Sequence, residues 1–330
     1  DAEDFVVSAD AVQSTAWSTN SPTLSEFYTS SVQKAGSSGD YYISVYQTES
    51  AAAGAAVQFD IAYGNVKGSG SAYFNSAYPQ FTPASTTYGQ YRTMILEDEN
   101  TNFSFGDGTN ILSPDDFYVL SVDRARFKES IFPGTFNIAL SGSGGLINLT
   151  DNSKDVSIQS FLGSSRVYQI VSGSNGSAYD SSGYVTNSGS YGLLFPELGT
   201  IILNPDAINQ SISVASDKTA NLTNGTNQST IFEAINLGGG FTVNSQETIT
   251  SDYVFVRARN SEFNYSANPS FISGSTGEVV FNTFINNPQV YVTTVGMYND
   301  ANECVAVAKL SRPLLKDFTK ESLIRVKLDF

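Results

Sequence analysis

At 330 residues, with 40% hydrophobic and 15% charged side chains, the chain carries enough apolar material for cores of ordinary domain size and lacks the profile of a disordered protein. Its formal charge of −15, from 32 acidic against 17 basic residues, sets it against nucleic-acid phosphates. No histidine is present and Cys304 is the single cysteine, which excludes imidazole bases, Ser-His-Asp and Cys-His pairs, histidine metal ligands, intrachain disulfides and multi-cysteine zinc sites.

The first element signal is helical: Leu24, Phe27, Tyr28 and Val32 form one stripe of a short helix predicted over 22–32. Alternation of apolar and polar residues then takes over, as half-buried strands require. Strands are predicted at 41–47 and 57–64; in the second, Val57, Phe59, Ile61 and Tyr63 share one face and Gln58, Asp60, Ala62 and Gly64 the other. Further strands are expected at 117–123, 135–141, 166–171 and 200–203. Thr230 and Glu233 match a capping box ahead of Ile231, Phe232 and Ile235, and Gly238 to Gly240 supply a stop, so a second short helix is predicted there. A strand at 253–259 follows, then a hairpin of 290–298 and 304–310 turned through 299–303. The last strand places Ile324, Val326, Leu328 and Phe330 on one face and Arg325, Lys327 and Asp329 on the other.

Three small-residue, polar stretches, 141–155, 172–190 and 215–229, read as long loops or linkers. The sum is a mainly β protein of several β-sandwich or barrel-like modules with a few short helices, and the expected domains are 1–130, 131–250 and 251–330. No stretch approaches the ~18 consecutive apolar residues of a membrane-spanning helix.

Paired carboxylates are the catalytic option that survives the missing histidines, because a glycosidase needs two of them about 5 to 9.5 Å apart. Glu97, Asp98 and Glu99 are adjacent, as are Asp115 and Asp116, but neighbouring acids are usually solvated turn or helix-start charges, and Ser113 with Pro114 supplies such a start before Asp115. Asp151, Ser153 and Asp155 match the first half of a calcium loop, yet Val156 stands where glycine is required and Leu162 where a bidentate glutamate is, so a turn is expected. The glycine runs at 141–145 and 238–240 lack the lysine and spacing of a phosphate loop. Two aromatic groups, Tyr41, Tyr42 and Tyr46, and Tyr73, Phe74, Tyr78 and Phe81, are read as core or interface packing, with stacking on sugar rings as the alternative. No catalytic, cofactor-binding or metal residue is assigned, and a non-enzyme is expected.

The segment YVTTVGMYNDANECVAVAKLSRPLLKDFTKESLIRVKLDF, from Tyr291 to Phe330, resembles the C-termini of virion structural proteins of contractile-tailed bacteriophages, notably those infecting cyanobacteria. QFDIAYGNVKGSG from Gln58, YGQYRTMIL from Tyr88, PGTFNIALSG from Pro133, YGLLFPELGTIILNP from Tyr191 and RARNSEFNYSANPSF from Arg257 are similar to the same family, so the resemblance runs over most of the chain. It implies a tail, neck or baseplate part of the virion, present as a homo-oligomer or in symmetric copies, with other virion structural proteins as partners; the charge and the hydropathy above separately argue against nucleic acid as a partner and against a membrane span. The resemblance carries over no catalytic or cofactor residue. The terminal strand bearing Ile324, Val326, Leu328 and Phe330 is the candidate assembly strand; completion of its own sheet is expected, with pairing to a neighbour's edge as the alternative. A carbohydrate-binding adhesin or fibre module and a carboxylate-dependent glycosidase are the rival functions.

Overall fold

The computed structural model describes residues 5–29, 42–71, 77–78, 81–107, 110–180, 183–220, 222 and 225–329. They form two compact units, one of residues 12–247 and one from the described residues of 1–11 and 248–329. The protein is mainly β, as its alternation predicts.

The first half of the chain supplies β1 (Phe5–Thr15), β2 (Thr23–Leu24), β3 (Tyr28–Thr29), β4 (Tyr42–Tyr46), β5 (Val57–Asn65), helix α1 (Pro83–Leu96), the small hairpin β6 (Phe105–Asp107) and β7 (Asn110–Leu112), β8 (Asp116–Val122), β9 (Ser130–Ile131), β10 (Asn137–Gly142) and β11 (Gly145–Asp151). Next come β12 (Ser160–Leu162), β13 (Ser165–Ser174), β14 (Ser177–Ala178), β15 (Gly192–Phe195), β16 (Thr200–Leu203), helices α2 (Pro205–Ile212) and α3 (Thr226–Gly238), β17 (Phe241–Thr242) and β18 (Asn244–Ala258). The one-turn helix α4 (Asn282–Asn286) precedes β19 (Gln289–Tyr298), β20 (Cys304–Asp317) and β21 (Ser322–Asp329).

One antiparallel sheet organises the larger unit, in the order β2-β17-β10-β11-β13-β15-β16-β8-β5-β4-β3, and so draws strands from both sides of position 130. Its middle is apolar on both faces, which is why β15 (GLLF) and β16 (TIIL) are continuous hydrophobic runs rather than alternating ones. On one face Phe59, Ile61 and Tyr63 join Tyr118, Leu120, Ile201 and Leu203 beneath Ile208 and Ile212 of α2 and Ile231 and Ile235 of α3. On the other, Ala62, Phe117, Val119 and Ile202 pack with Tyr88 and Ile95 of α1. Gly64 sets that second contact: a Cβ there would lie 2.8 Å from the Phe117 ring and 3.2 Å from the Tyr88 Cα, so any larger residue would push helix and sheet apart.

Several expectations are corrected. Residues 22–29 are not helical: Leu24 and Thr23 pair with Phe241 and Thr242 at one end of the sheet, Tyr28 pairs with Tyr46 at the other, and Leu24 is buried by that edge pairing rather than by a helical stripe; 30–32 lie outside the described residues. Helix α3 starts a turn before the expected capping box, behind Gly225, and the Thr230 hydroxyl donates to the Thr226 carbonyl inside the helix instead of capping it. Its end is where the glycines place it, with Gly239 at φ 79° and its N–H on the Ile235 carbonyl. The stretch 141–155 is no linker: β10 and β11 form a tight hairpin closing at Gly142 and Gly145. Likewise 172–190 continues β13, pairs β14 with it and buries Val185.

Three of the described helices carried no expectation: α1, α2 and the one-turn α4. Pro83 opens α1 behind Thr82, whose hydroxyl accepts the Ser85 N–H at 3.3 Å, and Asn204 caps α2 by accepting the N–H groups of Asp206 and Ala207.

In the smaller unit β18 has β1 on one side and β21 on the other, the latter in antiparallel register from Ser251 opposite Asp329 to Ala258 opposite Ser322. The terminal strand alternates as predicted: Ile324 and Val326 are buried, Leu328 is half-buried, and Arg325 and Lys327 are exposed. Phe330 lies outside the described residues. The predicted hairpin is β19 with β20, and its inner residues Val292, Val295, Met297, Ala308 and Leu310 pack with Ile324 and Val326.

Candidate functional site

A cleft of about 420 Å³ lies between α1 and strands β4, β5 and β8 of the larger unit. Register builds its floor: Tyr42 pairs with Ala62, Ala62 with Val119, and Asp60 with Ser44 and Ser121, which sets these side chains together on the face that α1 covers. The helix adds Thr86, Thr87, Gln90 and Tyr91. Where Phe117 sits below the helix the space is filled; where Ala62 and Ser121 sit below it, the short side chains leave a hollow.

Among the described residues that line this cleft, Asp60 carries the one carboxylate. The Ser44 hydroxyl bonds its carboxylate, but Oδ1 is buried and has no hydrogen-bond partner among the described residues. Burial pushes the Asp60 pKa above the usual carboxylate range; the Ser44 bond works against that rise and the nearby charge of Asp123 adds to it. Tyr91 shares a hydrogen bond with Ser121, and burial raises its phenol pKa. The sign of the stability effect follows. Between the ordinary aspartate value of 3.8 and its raised folded value, Asp60 is more protonated in the folded chain than in the unfolded one, so stability falls as pH rises through that window. Asp60→Asn is therefore expected to be more stable than wild type near neutral pH, with the difference vanishing below about pH 4, as urea midpoints across that range would show.

The second polar cluster centres on Asp116. Expected as a solvated helix-start charge, it is instead the first residue of β8 and fully buried, while its neighbour Asp115 is half-buried and paired with Lys67. A residue that ends a central strand is covered by whatever crosses the strand end, here the segment 215–218. The Asp116 Oδ2 accepts the hydroxyls of Ser216 at 2.6 Å and Tyr63 at 3.1 Å, and Oδ1 meets the Lys218 ammonium at 2.9 Å. Burial works against the charge on Lys218, but the hydrogen bond and charge of Asp116, with Asp206 behind it, outweigh that and raise the ammonium pKa. A nucleophilic lysine needs the opposite shift, and a carboxylate already engaged by three donors is poorly placed as a base. The cluster is a clasp that holds 215–218 to the sheet.

The remaining acidic candidates are turns. Glu97 ends α1 in a left-handed conformation at φ 56°, with its carboxylate on the Ser164 N–H at 3.1 Å. Asp98 accepts the Thr101 hydroxyl and the Asn100 N–H, which lower its pKa. In the former calcium candidate, Asp151 takes the Gly134 N–H at 2.9 Å and the Ser153 N–H at 3.0 Å, and Asp155 takes the Ala178 N–H at 2.7 Å. Their lone pairs face backbone donors: the Ser153 bond is an Asx turn, and the bonds from Gly134 and Ala178 tie the loop to distant parts of the chain. Among the described residues no group of three or more acidic, histidine or cysteine side chains is placed to hold a metal.

Of the aromatic candidates, Tyr42 lines the cleft, Tyr46 is half-buried at the β3 pairing, and Tyr78 and Phe81 are exposed and lie against each other with centroids 6.1 Å apart. Tyr41, Tyr73 and Phe74 lie outside the described residues. Sequence reasoning passed over Asp60 and all of α1; a carboxylate on the polar face of an alternating strand, and the Thr-Pro start of the helix, were the available signals.

In the smaller unit Val305, Val307 and Tyr298 are each 64% exposed on the outer face of the β19–β20 hairpin. The Tyr298 ring lies against Gly296, the residue paired with Val307, so the three form one apolar strip. Among the described residues β21 has β18 as its one strand neighbour, and its far edge is open. In comparison with known proteins, no family model, no curated protein and no solved structure matches the chain.

Proposed function

We propose that this chain is a non-enzymatic structural component of a bacteriophage particle, in its tail or baseplate, that acts through contacts with its own copies and with other virion proteins. The outer face of the β19–β20 hairpin carries the reading. Strand alternation places Val305 and Val307 on the side away from the small core, where a soluble monomer would have polar residues, and surfaces of that kind mark contact sites. The open edge of β21, with Leu323 64% exposed beside it, supports the same reading, as does the family resemblance of the segment from Tyr291 onward.

Mass spectrometry of purified virions with lysine cross-linking tests it. The chain is expected at fixed stoichiometry, with cross-links from the exposed Lys309, Lys320 and Lys327 to tail or baseplate proteins. Lys316 will not react, because it is buried with its ammonium on the carbonyls of Asn260 and Glu262 and on Asn264 Oδ1. Absence of the chain from the particle would discard the reading. A paired change, Val305→Asp with Val307→Asp, is expected to shift stability by only about 0.5 kcal/mol at these exposed positions while abolishing self-association and incorporation, read by sedimentation and virion composition.

A further inference from the structure

We propose that the cleft between α1 and strands β4, β5 and β8 binds a neutral saccharide of one or two sugar units. This goes beyond the assembly reading and does not depend on it. The cleft's volume of about 420 Å³ falls within the usual range for small-ligand sites and outside that of a packing defect. Its chemistry is specific in three respects.

First, Asp60 Oδ1 is a buried acceptor with no donor among the described residues, on the wall of an open cleft, where a ligand hydroxyl or N–H would complete its bonding. Second, the other polar groups on the walls, Thr86, Thr87, Gln90, Tyr91 and Ser121, are uncharged and both donate and accept, which matches a ring of hydroxyls. Third, the ring of Tyr42 is 49% exposed at the rim and, with Ala62 and Val119 on the floor, offers an apolar surface to the C–H face of a sugar.

Charge decides against the competing ligands. Among the described residues Asp60 is the one carboxylate lining the cleft and Asp123 acts on it electrostatically, which disfavours phosphates and uronates. A hard cation would need six or more oxygen ligands, including carboxylates beyond the single one that the described lining supplies. An ammonium ligand could pair with Asp60 but would leave the hydroxyl and amide groups of α1 unused.

The test uses the full chain and saturation-transfer NMR with glucose, galactose, rhamnose, N-acetylglucosamine and their disaccharides, with glucuronate and choline as charged probes. At least one neutral sugar is expected to bind with a dissociation constant on the order of 1 mM, and glucuronate more weakly than its neutral parent. Asp60→Asn and Tyr42→Ala are each expected to weaken binding by about tenfold or more, while Phe161→Ser, on an exposed strand away from the cleft, leaves it unchanged. Circular dichroism establishes that each variant is folded, and Tyr42→Ala carries the test if Asp60→Asn is not. The proposal is overturned if no neutral sugar binds in the millimolar range, if binding survives both cleft variants, or if choline binds in preference to the sugars. None of these outcomes touches the chain's presence in the particle, so the two readings fail separately.

Discussion

Replacing Asp116 with alanine is expected to destabilise the larger unit by about 2–4 kcal/mol, the order expected when a buried carboxylate and the hydrogen bonds it accepts are removed. The carboxylate is fully buried and serves three donors, and its loss leaves the Tyr63 hydroxyl, itself 2% exposed, with only the donated Asn65 amide at 3.4 Å. Lys218 contributes the smaller part, since its side chain is 44% exposed and water screens and replaces the pair. Denaturant unfolding followed by far-ultraviolet circular dichroism measures the loss. Lys218→Met should therefore cost clearly less than Asp116→Ala; equal costs would show that the ion pair, not the buried hydrogen bonds, holds the clasp. Limited proteolysis is expected to cut first within 215–218 in the Asp116 variant, because that segment is what the clasp retains.

Trp17→Ala is expected to cost ~3–5 kcal/mol, as truncation of a buried aromatic generally does. Trp17 is the sole tryptophan, is 1% exposed, and meets Phe241 edge-on with centroids 4.9 Å apart and Phe59 at 6.2 Å. Phe241 in turn meets Phe59 at 5.3 Å and Phe136 at 5.8 Å, so one indole closes a cluster assembled from four distant parts of the sequence. Its N–H also donates to the Phe241 carbonyl at 2.8 Å. Trp17→Phe keeps most of the apolar volume and loses that bond, so a milder cost of about 1–2 kcal/mol is expected, measured by the same unfolding signal. A Trp17→Phe variant as unstable as Trp17→Ala would mean that the hydrogen bond, rather than packing, dominates at this site.

How far the sequence reached is clearest at β5. Its alternation correctly separated Phe59, Ile61 and Tyr63 from Asp60, Ala62 and Gly64, because neighbouring side chains on any strand point to opposite faces. What covers each face was not legible. The polar face of β5 lies under α1, whose sequence PASTTYGQYRTMIL is rich in threonine and carries a glycine, weak helix formers that the contact with Tyr88, Phe117 and Gly64 overrides. The same gap explains the misread stripe at 22–32, where Leu24 and Phe27 are buried as a helix would require but by short edge strands. It also explains Asp116, whose local context of Ser113, Pro114 and Asp115 suggests solvent while 215–218 closes over it from a hundred residues away in the chain.

By itself, then, the sequence determined the exclusion of imidazole chemistry and intrachain disulfides, the mainly β class, the positions of ten of the twenty-one described strands, among them the C-terminal hairpin, and the inward face of the last strand. These depend on composition and on the two-residue repeat of extended backbone, both of which are local. The tertiary structure alone decided that Asp60 faces a cleft, that Asp116 is a clasp, that Lys316 is sequestered and that Val305 and Val307 remain uncovered. Burial and electrostatic environment are set by residues far apart in the chain, and the packing of α1 and 215–218 on the sheet brings those residues together.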